Sequence, residues 1–161
     1  MKYSQINEDA EVKTLYVCRY LSEDSAKDLK AWAKKNGFKK VLDPDQMHVT
    51  VALSKKPVNW DQLSPIEDIL TIKDGSRSVD PLGDDGAVVL KIKSKALSKR
   101  WEQFCDMGCS WEHDDYMPHI TITYKGEVAL DDIEPYDGEI ELEGETWSEV
   151  VEDWGRTASE S

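Results

Sequence analysis

The 161-residue chain is short of basic residues: 20 lysines and arginines stand against 33 aspartates and glutamates, a formal net charge of −13. A field of that sign repels polynucleotide backbones at long range, which argues against a coat for long DNA or RNA and leaves room for a small charged ligand in a local pocket. Long apolar runs are missing as well. No stretch has the ~20 residues needed to span a bilayer as a helix, and MKYSQINEDAEVK at the start lacks the apolar centre of an export signal. Only three cysteines occur, Cys18, Cys105 and Cys109. An odd set without an export signal leads to the expectation of a reduced, cytoplasmic compartment and no membrane partner. Cys105, Cys109 and His113 could be drawn as a metal cluster at helical spacing. Structural zinc normally takes four ligands and the short C-x-x-C knuckle is absent, so no metal and no cofactor is expected.

Against these scarcities stands a repeated motif. His48-Val49-Thr50 recurs as His119-Ile120-Thr121, 71 residues later. In an extended chain alternate side chains share a face, so His48 points with Thr50 and His119 with Thr121, while Val49, Val51, Ile120 and Ile122 point the other way. The repeat reaches beyond the motif. TLYVCRYL (14–21) and AVVLKIK (87–93) read as strands, and Ser22 and Ser94 as N-caps. Ala26, Leu29, Trp32 and Ala33 then follow helical spacing, as do Leu97, Trp101, Phe104 and Cys105, and Gly37 and Gly108 close the helices. In both halves the histidine comes eleven positions after that glycine. The expected fold is α+β and bilobal: two strand-helix-strand lobes, about 12–55 and 85–125, face each other across a pseudo-twofold axis within one domain, 1–155. A C-terminal segment closes the site, and the small polar residues 156–161 are expected to be disordered.

Two imidazoles and two hydroxyls in one cleft suit a phosphodiester with a neighbouring 2′-hydroxyl. Histidine titrates near ~6.5, so one ring can take the hydroxyl proton while the other protonates the leaving oxygen. The threonine hydroxyls can donate to the non-bridging oxygens where charge accumulates. His48, Thr50, His119 and Thr121 are therefore the candidate catalytic residues; His113, without a counterpart, reads as surface or lip.

The two H-x-T motifs, with their flanks GFKKVLDPDQMHVTVALSKKPVNW and PLGDDGAVVLKIKSKAL, resemble those of the 2H phosphoesterases over roughly residues 12–155. More narrowly the chain resembles the phage branch of that superfamily, the anti-CBASS nucleases that degrade bacterial cyclic dinucleotide and trinucleotide signals. The resemblance implies a metal-independent phosphodiesterase with a cyclic oligonucleotide as small-molecule partner, acting in the host cytosol if phage-encoded. It also implies substrate contacts at Tyr16, Glu149 and Trp154. An RNA-end 2′,3′-cyclic phosphodiesterase and a non-catalytic nucleotide sponge are the alternatives. Trp32 and Trp101 read as packing residues, Trp147 as core, and Trp60 and Trp111 as rim. Arg77, in the turn-rich DGSRSVDPLGDDG, reads as a solvated loop residue within reach of phosphate, and Lys13 and Arg19 as minor candidates for phosphate steering.

Overall fold

Strand-forming β-branched and aromatic residues dominate TLYVCRYL, and the computed structural model, which describes residues 12–83 and 85–150, extends the segment to β1 (Val12–Leu21). Ser22 ends the strand and starts helix α1 (Glu23–Lys35): its hydroxyl accepts from the Ser25 N–H at 3.2 Å, supplying one of the partners a helix N-terminus lacks. The helix stops where Gly37 takes a φ of 97°. There Gly37 N–H donates to Lys34 and Phe38 N–H to Ala33, the paired bonds of a Schellman cap. A 3₁₀ turn at Pro44–Gln46 leads into β2 (His48–Asn59).

After the short β3 (Leu70–Ile72) and β4 (Arg77–Leu82), the second lobe repeats the design with β5 (Ala87–Ile92) and α2 (Lys95–Asp106). Ser94 accepts from Leu97 N–H at 3.2 Å. Gly108, at φ 114°, donates to Cys105, and Cys109 donates to Phe104. β6 (His119–Thr123) follows, and β7 (Ile140–Ser148) comes last.

All seven strands form one sheet in the order β3-β7-β1-β2-β6-β5-β4, with antiparallel pairing throughout. At its centre β2 and β6 pair at Val49 and Ile120. These two residues are 71 apart, so the local twofold axis passes between them. The symmetry extends to an irregularity. Val17 and Cys18 face Ala52 and Thr50, which leaves Val51 as an extra residue in β2; Val88 and Val89 face Thr123 and Thr121, which leaves Ile122 as an extra residue in β6. A bulge therefore follows each H-x-T at the equivalent position, where it bends the strand and re-aims side chains. Leu21 N–H donates to Met47 C=O at 3.1 Å, and Ile92 N–H to Pro118 C=O at 3.0 Å, another pair related by 71.

One face of the sheet supplies the core. Leu15, Val17, Val49, Val51, Leu90, Ile120 and Ile122 are buried there together with Leu29 of α1 and Phe104 of α2. Loops stitch the lobes across the axis: Leu42 N–H donates to Ile122 C=O at 2.9 Å, and Ser110 N–H to Ser54 Oγ at 2.9 Å. The Glu145 side chain of β7 is fully buried and binds Arg100 of α2 through both carboxylate oxygens, at 2.8 and 3.0 Å. Its Oε1 also accepts from Ile66 N–H and from the Trp147 indole.

The turn-rich segment around Arg77 differs from its expected loop character, because β4 runs through it with Pro81 inside. As the last strand in the sheet, β4 needs no ladder donor on its outer side, so proline fits. Among the described residues no helix is long and apolar enough to cross a membrane. Residues 156–161 lie outside the described residues.

Candidate active site

Continuing the Val49–Ile120 register by one residue in each direction sets His48 opposite Thr121 and Thr50 opposite His119, all four on the face away from the core. Each histidine thus has a threonine of the other lobe as its direct neighbour, and the two imidazoles occupy a diagonal, on the order of 7–8 Å for such a pair. The registered neighbours extend this arrangement outward. Tyr20 flanks His48 and Cys18 flanks Thr50; Lys91 flanks His119 and Val89 flanks Thr121. The face is a strip of polar chemistry laid over an apolar core.

Both imidazoles are held alike. His48 Nδ1 lies 2.9 Å from the Gln46 carbonyl and His119 Nδ1 lies 3.0 Å from the Met117 carbonyl, in each case the residue two positions earlier. A carbonyl only accepts, so both Nδ1 atoms carry hydrogen and Nε2 is the nitrogen that gains or loses a proton. Burial pulls the His48 pKa below its ordinary value; the bond to Gln46 opposes the shift and the nearby His119 adds to it. His48 accordingly favours its neutral form.

Thr50 is fixed from two sides. Its backbone carbonyl accepts from the Tyr116 hydroxyl at 2.7 Å, and its Oγ1 lies 3.0 Å from the Tyr16 hydroxyl. Tyr116 stacks on Trp101 with centroids 5.5 Å apart and planes 7° apart, and Trp111 meets both rings edge-on. An aromatic block on α2 and its following loop thereby reaches across the lobes to the first H-x-T strand. The Tyr16 and Cys18 acidities are both weakened, chiefly by burial, so each stays protonated. Among the described residues no three His, Cys, Asp or Glu side chains are grouped so as to hold a metal ion.

The structure brings the quartet and Tyr16 together. Tyr16 is only 7% exposed, so its reach into the cleft runs through the hydroxyl and Thr50 rather than through an open ring face. Glu149 is exposed just beyond β7, and Trp154 lies outside the described residues. Trp147 is half-buried against Phe104 and Trp60. Trp60 also sits beneath the Lys13 ammonium at 4.3 Å, which engages that lysine on the ring. Trp111 packs within the aromatic block just described. Trp32 packs against Phe38 and Tyr136, as a core-side residue should.

Two arginines turn out to serve the backbone. Arg19 is buried and donates to the Asp68 and Glu143 carbonyls at 3.0 Å each. Arg77 donates to Tyr136 at 2.7 Å and to Gly138 at 2.6 Å. Both cations end on backbone carbonyls far along the chain, which spacing alone does not disclose. Tyr20 and Lys91 were also missed, although strand alternation in TLYVCRYL puts Tyr20 on the face of Tyr16 and Cys18.

Comparison with known proteins identifies the family and the fold. The family model described as "Anti-CBASS protein Acb1" matches residues 13–157. Proteins of that name from Caulobacter sp. (strain RHG1) and Sphingomonas paeninsulae are 38% and 40% identical over 159 and 161 residues. Each alignment covers 95% of this chain but only 25% and 26% of the relatives, so the chain spans about a quarter of their length. The Vibrio phage KVP40 protein of that name is 33% identical over 68% of this chain and 71% of its own. Among solved structures, a phosphoesterase superposes with a TM-score of 0.59 at 15% identity, covering 84% of this chain and 87% of that one. E. coli LigT complexed with 3′-AMP gives 0.54 at 16%, with the same coverage. These likenesses establish the 2H phosphoesterase-like fold, and by the extent of the family match the chain belongs to the anti-CBASS protein Acb1 family.

Proposed function

We propose that the chain is a phosphodiesterase that opens 3′–5′ linked cyclic dinucleotides and trinucleotides, and that it counters CBASS immunity by doing so. The observation that carries the reading is the symmetric quartet: two imidazoles, each with Nδ1 tied to a carbonyl, set diagonally with two threonine hydroxyls. His48 Nε2 takes the proton of the ring's 2′-hydroxyl, and the 2′-oxygen attacks phosphorus. His119 gives its Nε2 proton to the departing 5′-oxygen as the P–O5′ bond breaks. The product carries a 2′,3′-cyclic phosphate. Water then adds to it with the roles reversed: His119 accepts a proton from water, His48 returns one to the 2′-oxygen, and a 3′-phosphate remains.

The threonines serve the phosphate oxygens. When Tyr16 donates to Thr50 Oγ1, the Thr50 proton is directed elsewhere, toward the non-bridging oxygen that gains charge in the transition state. Tyr16 is in this reading a positioning residue. The scheme calls on protein groups alone, so turnover is expected to persist in excess EDTA.

The test is incubation with a panel of cyclic oligonucleotides and mass analysis of the products. The expected result is ring opening with a 2′,3′-cyclic phosphate intermediate and no cleavage of a ring lacking every 2′-hydroxyl. Efficient cleavage of the deoxy ring would refute the 2′-hydroxyl mechanism, and activity confined to 2′,3′-cyclic phosphate ends of linear RNA would move the assignment there.

A further inference from the structure

Tyr20 is an anomaly on the cleft face. Its strand neighbours Tyr16 and Cys18 are buried, yet Tyr20 is 38% exposed, with its ring centroid 5.7 Å from that of His48. A cavity of about 570 Å³ opens beside it, lined by Tyr20, Glu23, Lys27, Pro44, Asp45 and Glu143 among others. That volume is within the range of ligand sites, roughly 300–1,000 Å³.

From this juxtaposition we propose that the cleft continues past His48 into a base-binding subsite, floored by the Tyr20 ring and walled by carboxylates, that takes one amino-bearing nucleobase of the cyclic oligonucleotide. The inference rests on the reading above for the ligand's class and adds where one of its bases goes. An aromatic face stacks on any base. Carboxylates only accept hydrogen bonds, so Glu23, Asp45 and Glu143 require a donating edge, which adenine, guanine and cytosine present through their amino groups. The same charges turn a phosphate away and keep the ring's phosphates over the histidines. The one cation present, Lys27, is 3.6 Å from Glu23.

The equivalent position of lobe 2 offers no aromatic ring. The residue equivalent to Tyr20 is Lys91, beside His119 and 3.9 Å from Asp80. Of these two equivalent flanking positions only that of lobe 1 gives a base an aromatic seat, and the ring enters in one orientation.

The test is steady-state cleavage of cyclic di-AMP by the whole chain and its Tyr20→Ala, Tyr20→Leu and Tyr20→Phe variants, each checked for an unchanged melting temperature. Loss of one stacked base should raise KM roughly 5- to 100-fold in the Ala and Leu variants, with kcat little changed and Phe close to wild type. A Glu143→Gln, Asp45→Asn variant should lose preference for cyclic di-AMP over cyclic di-UMP. An unchanged KM in Tyr20→Ala and Tyr20→Leu, or a Phe variant as impaired as Ala, overturns the subsite while leaving the phosphodiesterase reading intact. Failure of the wild-type chain to cleave either ring overturns both.

Discussion

The two lobes share a backbone and differ in what they place on it. Cap serines, Schellman glycines, the carbonyl partners of the imidazoles and the bulges at Val51 and Ile122 correspond across the axis. The flanking strands do not: β1 lays Tyr16, Cys18 and Tyr20 along the cleft, where β5 lays Ala87, Val89 and Lys91. In the proposed reaction, correspondence is kept where one imidazole takes a proton from the substrate and the other gives one to it. It is dropped on the strands that would orient the ligand. A proton relay gains from equivalence and recognition from its absence, so a duplicated unit can diverge at its flanks without losing its centre.

Breaking the shared part should cost most. His48→Ala and His119→Ala are each expected to lower kcat on a cyclic dinucleotide by roughly 10²–10⁴-fold, with the double variant little worse than the poorer single one, because the two act as a unit. A single variant with near-normal turnover would show that the lobes do not cooperate. The pH profile sharpens the same point. Since burial lowers the His48 pKa, the acidic limb of kcat/KM should fall at lower pH than free imidazole would place it. Stability follows the same sign: the unfolded chain takes up a proton at His48 near ~6.5 before the folded one does, so the contribution is full above that pH and is lost as pH falls toward the lowered value.

The next effect is structural. Glu145→Ala would leave Arg100 buried without its partner and is expected to destabilise the fold by about 3–5 kcal/mol in urea unfolding, although neither residue reaches the cleft. Tyr16→Phe is smaller and specific to lobe 1. It removes one hydrogen bond to Thr50, worth about 0.5–1.5 kcal/mol, and should lower kcat several-fold while lowering the melting temperature by only a few degrees. Smallest are the caps: Ser22→Ala and Ser94→Ala should each cost about 1 kcal/mol. Equal losses would extend the lobes' equivalence to energetics, and a clear inequality would limit it to geometry.

Much of this arrangement was legible because its signals are local and occur twice. Ser22 and Ser94, Gly37 and Gly108, and the H-x-T pair each announce a cap, a stop or a face, and the 71-residue spacing joins them. What stayed hidden depends on distant partners. Val51 and Ile122 are β-branched like their neighbours, so nothing marks them as the extra residues of bulges. The destinations of Arg19 and Arg77 are carbonyls in segments far along the chain. β4 was obscured by Pro81 and the glycines near it, and β7 by its acidity, because Glu145 looks as solvated as Glu141 and Glu143 until Arg100 is found beside it. Tyr16, implied as a substrate contact, is buried, and its hydroxyl is the part that meets Thr50.

The place of β7 in chain order has a consequence for biosynthesis. Lobe 2 owns its outer strand early, since β4 directly precedes β5 and all of β4, α2, β5 and β6 is synthesised before residue 124. Lobe 1 must wait for residues 140–148 to cover the outer side of β1, more than a hundred residues after that strand emerges. During translation the later lobe in sequence is thus the first that can complete its sheet. The earlier one holds an open strand edge, the hazard that invites pairing with another chain, until Glu145 arrives to meet Arg100.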